Sequence, residues 1–261
     1  MNSVKKTALV TGASSGFGRE FVKLFAQDGY NLILVARHED DLQEVAQQLE
    51  NDFAGCETLV LAKDLTQPQA AQELYDAVKQ EGVNVQALVN DAGFGEHGLF
   101  AETDLEKELA MIQLNVVSLV TLTKLFMRDM LERGEGKILQ LASTASFMPV
   151  PKLSVYAASK AFVLSFSEAV AYELKDTGVT MTALCPGASD TEFFERADAE
   201  GANITETPLS EAAEVAQDGY DAMMKGELRV ISGAMNKTQV YLSNFVPDSL
   251  LSAGMSKLME K

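Results

Sequence analysis

Short apolar runs that alternate with longer amphipathic segments constrain the fold of this chain more than any other feature. Seven of these runs are typical of strands, at 7–10, 32–35, 58–62, 87–89, 137–141, 179–184 and 228–231. Because the runs are continuously apolar rather than alternating, both faces of each strand must be buried, as in a parallel sheet. The pattern predicts an α/β fold, a doubly wound parallel sheet of about seven strands with helices on both faces.

The amphipathic segments predict the helices that cover this sheet. They lie at 16–27, 40–49, 105–130 and 154–176. A further helix is expected to open near Pro68, because proline suits the first turn of a helix.

Nothing in the chain indicates a division into domains. No linker rich in proline, glycine or serine interrupts it, so we expect a single domain over residues 1–261. Residues 188–210 carry many charges without a clear period and predict a substrate lid. Residues 238–261 are weakly amphipathic and predict a tail that packs on the core or on a partner subunit. Binding of this tail to a membrane surface is the alternative, which its few basic residues disfavour.

Charge and composition limit the partners of the chain. The formal net charge is −17, which repels nucleic acid and anionic membranes. No stretch approaches the length of about 18 apolar residues that a spanning helix needs, so we expect no membrane insertion. His38 and His97 are the only histidines and no ligand cluster completes them, so no metal site is expected.

The cysteines and the N-terminal segment predict a cytoplasmic location. Cys56 and Cys185 lie in segments that read as buried strands, where cysteine acts as a small apolar residue. A disulfide between them is the disfavoured alternative. The first apolar run is short and ends at Thr11-Gly12, so we expect no signal peptide.

A glycine-rich turn follows the first predicted strand and opens the first predicted helix. Its sequence is Thr11-Gly12-Ala13-Ser14-Ser15-Gly16-Phe17-Gly18. Glycine lets the backbone approach a ligand closely, and the free N–H groups of the following helix attract a pyrophosphate. At this position the turn predicts a dinucleotide site.

The end of the second strand predicts which dinucleotide binds. NAD-binding proteins carry an acidic residue there for the ribose 2'-hydroxyl, whereas this chain has Ala36-Arg37-His38. The Arg37 guanidinium can bind a 2'-phosphate through charge-assisted hydrogen bonds, and Ser14 is expected to add another. We therefore expect NADP(H). Arg37 as a solvated charge after a strand is the alternative.

Tyr156 and Lys160 are separated by one turn of a predicted helix. That spacing places the phenol and the ammonium on one face. A nearby ammonium stabilises phenolate and is expected to lower the pKa of Tyr156. Such a pair can transfer protons to and from a substrate, although the spacing alone is also common between surface neighbours.

Further motifs follow one another along the chain in the order found in a known protein family. The sequence resembles the short-chain dehydrogenase/reductase family, in its NADP-preferring type of about 250 residues, over nearly all its length. The resemblance adds to the glycine turn the matches Asp64-Leu65, Asn90-Asp91-Ala92-Gly93, Asn115, Ser143 thirteen residues before Tyr156, and Pro186-Gly187 with Thr191. It implies a Rossmann fold, and it implies assembly as a homodimer or homotetramer through the two long helices.

The resemblance also implies roles for these residues. Tyr156 would exchange a proton with a carbonyl or alcohol oxygen, which Ser143 would hold by a hydrogen bond. Lys160 would bind the ribose of the cofactor and tune Tyr156, and Asn115 would hold a water that relays protons. The cofactor would contact the residues of the glycine turn, Arg37 and the remaining matched positions: Gly12, Ser14, Ser15, Gly16, Phe17, Gly18, Asp64, Leu65, Asn90, Ala92, Gly93, Tyr156, Lys160, Pro186, Gly187 and Thr191.

One residue departs from the family's pattern. Asp91 stands where the motif has a second asparagine, and it adds a carboxylate. Ala92 and Gly93 act through their backbone, which requires no particular side chain at position 91, so activity is expected to be retained.

These patterns predict an NADP(H)-dependent oxidoreductase that interconverts a carbonyl and an alcohol on a small, apolar substrate. Residues expected to line the substrate cleft are Phe94, Gly95, His97, 144–150, Phe193 and Phe194. A non-catalytic NADP(H)-binding sensor or scaffold is one alternative, because fold alone does not establish activity. A sugar-nucleotide epimerase or dehydratase is another, disfavoured because the chain lacks a substantial C-terminal substrate domain.

Overall fold

The computed structural model describes residues 5–206, 209–243 and 245–260, the side chains of 205 and 206 excepted. Seven parallel strands form its main sheet, in the order β3-β2-β1-β4-β5-β6-β9. Their bounds are β1 Thr7–Thr11, β2 Asn31–Ala36, β3 Thr58–Ala62, β4 Ala87–Asn90, β5 Gly136–Leu141, β6 Val179–Cys185 and β9 Arg229–Ile231. A second, two-stranded sheet pairs β7 Ser189–Asp190 with β8 Ser210–Glu211. The doubly wound α/β prediction is confirmed.

Helices cover both faces of the main sheet. They are α1 Gly16–Gln27, α2 Glu39–Asp52, α3 Ala70–Gln80, α4 Leu105–Ile112, α5 Leu119–Arg133, α6 Ser154–Glu173, α7 Phe193–Arg196, α8 Ala212–Lys225, α9 Ala234–Ser243 and α10 Asp248–Leu258. The two faces have separate cores. Ala8 and Val10 of β1 pack in the core with α1, α2 and α8, whereas Leu9 packs in the core with α3 and α5. This alternation along β1 shows why its three central residues are all apolar.

The order of the strands locates the site. From β1 the chain adds β2 and β3 outward on one side of the sheet, and from β4 it adds β5, β6 and β9 outward on the other. The direction of winding therefore reverses between β1 and β4, which are neighbours in the sheet. Ligands of doubly wound folds bind outside the carboxyl ends of the strands at such a switch point. The glycine turn after β1 and the Asn90-Asp91-Ala92-Gly93 segment after β4 both lie there.

Several predicted local features differ from the structure. The helix expected near Pro68 begins at Ala70 instead, after Gln69 adopts a left-handed conformation with φ 69°. Cys56 lies in the turn before β3, not in a strand, although it is buried as expected. Helix α8 was not predicted, although an apolar stripe along it packs on α1 and the sheet.

The long helix predicted over 105–130 is a continuous helical run to Arg133, widened by a π-helical segment at Gln113–Ser118. Among the described residues, this run is long and apolar enough to cross a membrane by length and composition. Buried helices of soluble proteins pass the same test, and here Leu122, Phe126 and Met130 are buried against the sheet. The absence of a spanning helix stays a prediction.

The predicted lid and tail contain more regular structure than their sequences indicate. Within 188–210 the chain forms β7, α7 and a 3-10 turn at Asn203–Glu206, while residues 207 and 208 lie outside the described residues. Phe194, Ala197 and Ala199 form a small buried cluster there. The tail 238–261, of which residues 244 and 261 lie outside the description, includes most of α9 and all of α10.

Candidate active site

A cavity of about 960 Å³ opens at the carboxyl ends of β1, β4, β5 and β6. Residues predicted to bind the cofactor and residues predicted to contact the substrate both line this cavity. The predicted site residues that line it are Gly12, Ser14, Ser15, Gly16, Phe17, Arg37, Asp64, Leu65, Ala92, Gly93, Ser143, Tyr156, Lys160, Pro186, Gly187 and Thr191. Gly18, Asn90 and Asn115 are not among its lining residues.

The glycine turn leaves no room for larger residues. Gly12 and Gly16 have φ of +76° and +51°, a region that favours glycine. A Cβ on Gly18 would lie 2.1 Å from the backbone oxygen of Gly12, so the first turn of α1 crosses directly against β1. Ser15, the N-cap of α1, makes no side-chain capping hydrogen bond, which leaves free N–H groups facing the cavity. This arrangement fits a dinucleotide pyrophosphate.

The adenosine end of the cavity is marked by Arg37 and Asp64. Arg37 is exposed at the cavity wall, next to His38. Burial disfavours ionisation of Asp64, but hydrogen bonds from Thr66 and Gln67 and the charge of Arg37 outweigh it and lower the pKa of Asp64. The pair thus presents one fixed positive and one fixed negative charge, which fits a phosphorylated ribose beside an adenine amine.

Asn90 serves the scaffold in this structure. Its Nδ2 donates to Thr123 Oγ1 at 3.1 Å and to Gln140 Oε1 at 3.0 Å, all three residues being buried. These bonds join β4 to α5 and β5 beneath the cavity. The expected cofactor contact of Asn90 stays a prediction, because its side-chain amide points into the helix layer.

Tyr156 and Ser143 meet at the centre of the cavity. Tyr156 lies in the first turn of α6, and its phenol makes a side-chain hydrogen bond with Ser143. Ser143 lies two residues beyond the end of β5, rather than at the end of the strand itself. Its Oγ accepts from Ala145 N at 3.1 Å and caps a 3-10 turn, so the capping role and proximity to Tyr156 coexist.

The electrostatics of Tyr156 correct one expectation. Burial raises the pKa of Tyr156 to about 12, although the Ser143 hydrogen bond opposes the rise. The expected lowering by Lys160 is therefore wrong for this structure. The ammonium lies 5.8 Å from the centroid of the Tyr156 ring, too far to offset the desolvation of the phenolate. Tyr156 consequently holds its proton at neutral pH.

Lys160 is buried at the wall of the cavity, between β5 and the loop after β4. Its Nζ donates to Leu141 O at 2.7 Å. Burial lowers the pKa of Lys160 to about 8, while the charge of Asp91 opposes that decrease. A Cβ on Gly93 would lie 3.4 Å from this ammonium, which shows how closely the loop approaches it.

Asn115 occupies the π-helical segment and links three parts of the chain. Its Nδ2 donates to Phe94 O at 3.0 Å and to Ser159 Oγ at 3.2 Å, and its Oδ1 accepts from Phe94 N. The π turn displaces the helix where Asn115 must reach both the loop after β4 and α6, a frequent use of such bulges at functional sites. Its predicted water relay stays a prediction.

The substrate side of the cavity is apolar and comes from distant parts of the chain. Phe193 packs on the Tyr156 ring with 4.8 Å between centroids, and Phe194 is buried within the lid cluster. The remaining wall includes Met148 and Val150 from the predicted segment 144–150 and Ile204 and Leu209 from the predicted lid. Sequence reasoning missed its other members, Leu153, Met255, Leu258 and Met259. Weak periodicity in the tail concealed the contribution of α10.

Polar contacts hold this wall in place. His97 Nε2 lies 2.8 Å from Met259 O, and its backbone N donates to Ala197 O in the lid. Lys152 Nζ also donates to Met259 O. Asn203 N donates to Glu260 O at 2.8 Å, which ties the lid to the tail. His97 thus contacts both the lid and the end of α10 but, contrary to expectation, it is not among the residues that line the cavity.

The lid also reaches the glycine turn. Arg196 Nη2 donates to Ser15 Oγ at 3.2 Å and pairs with Glu192. The Thr191 side chain lies 3.6 Å from an added Cβ on Gly16. Nothing in the sequence marked Arg196 as a residue of the cofactor side. In the part of the chain that the structure describes, no group of three or more potential metal ligands occurs.

Comparisons with known proteins agree with this geometry. A sequence model of the short chain dehydrogenase family matches residues 6–201. The mouse 17-beta-hydroxysteroid dehydrogenase type 3 is 34% identical over 198 residues, which cover 73% of this chain and 62% of that protein. The chain therefore spans less than two thirds of the length of this relative.

Solved structures extend the similarity to nearly the whole chain. A short-chain dehydrogenase from Sphingobium yanoikuyae in complex with NADPH has a TM-score of 0.81 and 29% identity, covering 94% of this chain and 97% of that one. A short-chain dehydrogenase/reductase from Burkholderia phymatum in complex with NAD has a TM-score of 0.81 and 25% identity, covering 91% and 92%. With the cofactor cradle and the Tyr156–Lys160 pair in one cavity, this chain belongs to the short-chain dehydrogenase/reductase family of oxidoreductases.

Proposed function

We propose that this protein is an NADP(H)-dependent oxidoreductase that interconverts a carbonyl and an alcohol on a small apolar substrate, with Tyr156 as general acid and base. The observation that carries the proposal is the position of Tyr156. It makes a hydrogen bond with Ser143 at the boundary between the cofactor cradle and the apolar wall. A bound nicotinamide would supply or accept the hydride at this boundary.

The side chains divide the work of proton transfer. Tyr156, protonated at neutral pH, gives its proton to the carbonyl oxygen in the direction of reduction. Ser143 donates a second hydrogen bond to the same oxygen and holds it in position. Lys160 binds ribose hydroxyls and places a positive charge near the site. Oxidation requires the phenolate, so its rate is expected to rise with pH up to the pKa of Tyr156.

Arg37 supports a preference for NADP(H). It is exposed at the cavity wall, and no acidic residue ends β2 to bind a 2'-hydroxyl. Solved relatives bind NADPH in one case and NAD in another, so the family alone leaves the choice open. The charge at the end of β2 is what favours the phosphorylated cofactor here.

The lining of the cavity supports an apolar substrate. Beyond Tyr156 the wall consists of methionine, leucine, isoleucine, valine and phenylalanine side chains from the lid, α10 and the segment after β5. Methionine adapts its shape to irregular apolar ligands. The mouse relative is by its name a hydroxysteroid dehydrogenase, which is consistent with an apolar ketone or alcohol as substrate.

The activity can be tested with a panel of aldehydes and ketones. NADPH oxidation is followed by the absorbance of the reduced nicotinamide, with NADH in parallel. Tyr156→Phe should lose about 100-fold or more in kcat, because the phenyl ring cannot transfer a proton. Its affinity for NADPH, measured by fluorescence, should stay unchanged. An active Tyr156→Phe, or a wild-type protein that binds NADPH but reduces no carbonyl, would contradict the proposal.

We also propose a cytoplasmic homodimer or homotetramer. Exposed apolar side chains cluster on the two long helices, at Leu105, Leu109 and Val117 on one and at Phe162 and Tyr172 on the other. Apolar patches of this kind mark interaction surfaces. Sedimentation equilibrium of the wild type and of Leu109→Glu tests the assembly. A monomeric wild-type protein would refute it.

A further inference from the structure

Asp91, the residue that departs from the family's motif, is half-buried against the glycine turn, with its Oδ1 shielded from solvent. Its backbone N and that of Ala92 both donate to Thr11 Oγ1 at 3.1 Å, which fixes the end of β4 against the end of β1. These bonds fix the backbone of Asp91 beside the glycine turn. Burial raises the pKa of Asp91 to about 7.

One carboxylate oxygen contacts the first turn of α1. Asp91 accepts a hydrogen bond from Gly18 N, and its Oδ2 would lie 2.9 Å from an added Cβ on either Gly12 or Gly18. Because Ser15 makes no side-chain cap, Asp91 does for α1 what an N-cap side chain usually does. An asparagine oxygen could accept the same hydrogen bond, so capping alone does not require a charge.

The other oxygen is unpaired. Asp91 Oδ1 is buried and has no hydrogen-bond partner among the described residues. Leaving a buried carboxylate oxygen unpaired is costly unless an opposite charge compensates it. Lys160, itself buried, is the cation that acts on Asp91 through space, without a direct ion pair among the described contacts, and its only hydrogen bond there goes to Leu141 O.

No other charge takes the place of Asp91 near Lys160. Within the described chain, the titratable groups facing this ammonium are Asp91 after β4, Cys185 at the end of β6 and Tyr156 on α6. Burial raises the pKa of Cys185 and of Tyr156 to about 12 each, so both are neutral at physiological pH. Only Asp91 can balance the charge of the lysine.

We propose that Asp91 is a positioning residue that acts as the buried counter-charge of Lys160 and at the same time caps the cofactor-binding helix. The carboxylate keeps Lys160 protonated where burial alone would discharge it. It also couples the ribose-binding lysine to the turn that faces the pyrophosphate. The inference rests on the proposed function for its kinetic consequences only.

Asp91→Asn separates the two roles, because asparagine keeps the acceptor for Gly18 N and removes the charge. The alkaline limb of the pH profile of carbonyl reduction should move to lower pH by about one unit, the effect of losing a nearby opposite charge. The loss in kcat should be largest above pH 7 and vanish below about pH 6, where burial leaves Asp91 itself protonated. KM for NADPH should stay unchanged in this variant, whereas in Asp91→Ala, which also loses the cap, it should rise.

Glu108→Gln is the matched control. Glu108 is a buried carboxylate on α4 with an oxygen that likewise lacks a partner among the described residues, and it does not act on Lys160. Its neutralisation should leave the alkaline limb in place. An equal shift in this variant would mean that general destabilisation, not the counter-charge, moves the limb.

A direct titration tests the inference without turnover. The side-chain carbon and nitrogen NMR signals of Lys160, assigned by their loss in Lys160→Met, should titrate at lower pH in Asp91→Asn than in the wild type. Reciprocally, the carboxyl carbon of Asp91 should titrate at higher pH in Lys160→Met. Unchanged midpoints in both experiments would overturn the proposal. A protein without carbonyl reductase activity but with both shifts would refute only the proposed function.

Discussion

The glycine turn and the substrate wall of the same cavity are built in different ways. The turn is held by backbone contacts so close that Gly12 and Gly18 admit no side chain. The wall is held by apolar packing around Met259 and by hydrogen bonds from His97, Lys152 and Asn203 to the end of α10. Within α10 itself no residue is buried.

This difference shows how one fold can keep its cofactor and vary its substrate. Contacts between backbone atoms cannot adjust, so substitutions in the turn affect folding and cofactor binding directly. Contacts between flexible side chains can be rearranged at small cost, so substitutions in the wall are expected to change selectivity first.

Gly18→Ala should have the largest effect. A Cβ would lie 2.1 Å from the backbone oxygen of Gly12, and relief requires movement of β1 or α1. We expect a loss of about 3 kcal/mol in the free energy of unfolding, at the upper end for overpacking, together with loss of NADPH binding. Denaturant unfolding and NADPH fluorescence measure both. An alanine variant of normal stability would show that the turn is adaptable after all.

Arg37→Ala should weaken NADPH binding by about 10- to 100-fold, since hydrogen bonds to charged groups contribute about 1.5–3 kcal/mol. Binding of NADH, which lacks the 2'-phosphate, should change little. Isothermal titration with both cofactors measures the ratio. Equal losses of affinity for the two cofactors would mean that Arg37 maintains the structure of the site and does not bind the 2'-phosphate.

Met259→Ala tests the substrate wall. Met259 is 2% exposed and packs with Met148, Val150 and Leu153, so its truncation removes apolar contact area on the substrate side. We expect KM for an apolar ketone to rise about ten-fold, equivalent to roughly 1.4 kcal/mol, while NADPH affinity is retained. Steady-state kinetics give both constants.

Leu250→Ala is the control for that variant. Leu250 lies on α10 and is 63% exposed. The substitution shortens a leucine on the helix that ends just before Met259, without touching the cavity, so KM should be unaffected. Similar changes in both variants would indicate that α10 acts through its docking and not through Met259.

Gly254→Ala should have the smallest effect, and of opposite sign to Gly18→Ala. Gly254 lies within α10, and an added Cβ would meet no atom within 4 Å. Alanine should stabilise the helix by about 0.5–1 kcal/mol, because glycine loses more backbone entropy on folding. Slower hydrogen exchange of the α10 amides would show this stabilisation. Destabilisation would show that α10 packs more tightly than its contacts indicate.

Particular residues show how far sequence reasoning reached. Strands β1 to β6 were located within about two residues because burial on both faces leaves a continuous apolar run. Tyr156, Ser143 and Lys160 were expected together and do lie in one cavity. Helix α8 and the role of α10 escaped detection, and for α10 the weak amphipathicity of the tail hid its contribution to the substrate wall.

The pKa of Tyr156 illustrates a different limit. The spacing in the sequence showed that Lys160 lies one helical turn from Tyr156, and this proximity favoured a lowered pKa of the phenol. Burial, which spacing does not reveal, acts more strongly and raises the pKa to about 12. Desolvation depends on every segment packed around the phenol, including Phe193 from the lid.

By itself the sequence determined the strand order along the chain, the glycines of the turn, Arg37 after β2, and the spacing of Tyr156 and Lys160. These depend on local rules of burial, backbone conformation and helix periodicity. Only the tertiary structure decided which side chains form the substrate wall and that Asp91 joins the glycine turn to Lys160. These contacts connect residues far apart in the chain, such as His97 and Met259, and no local pattern records them.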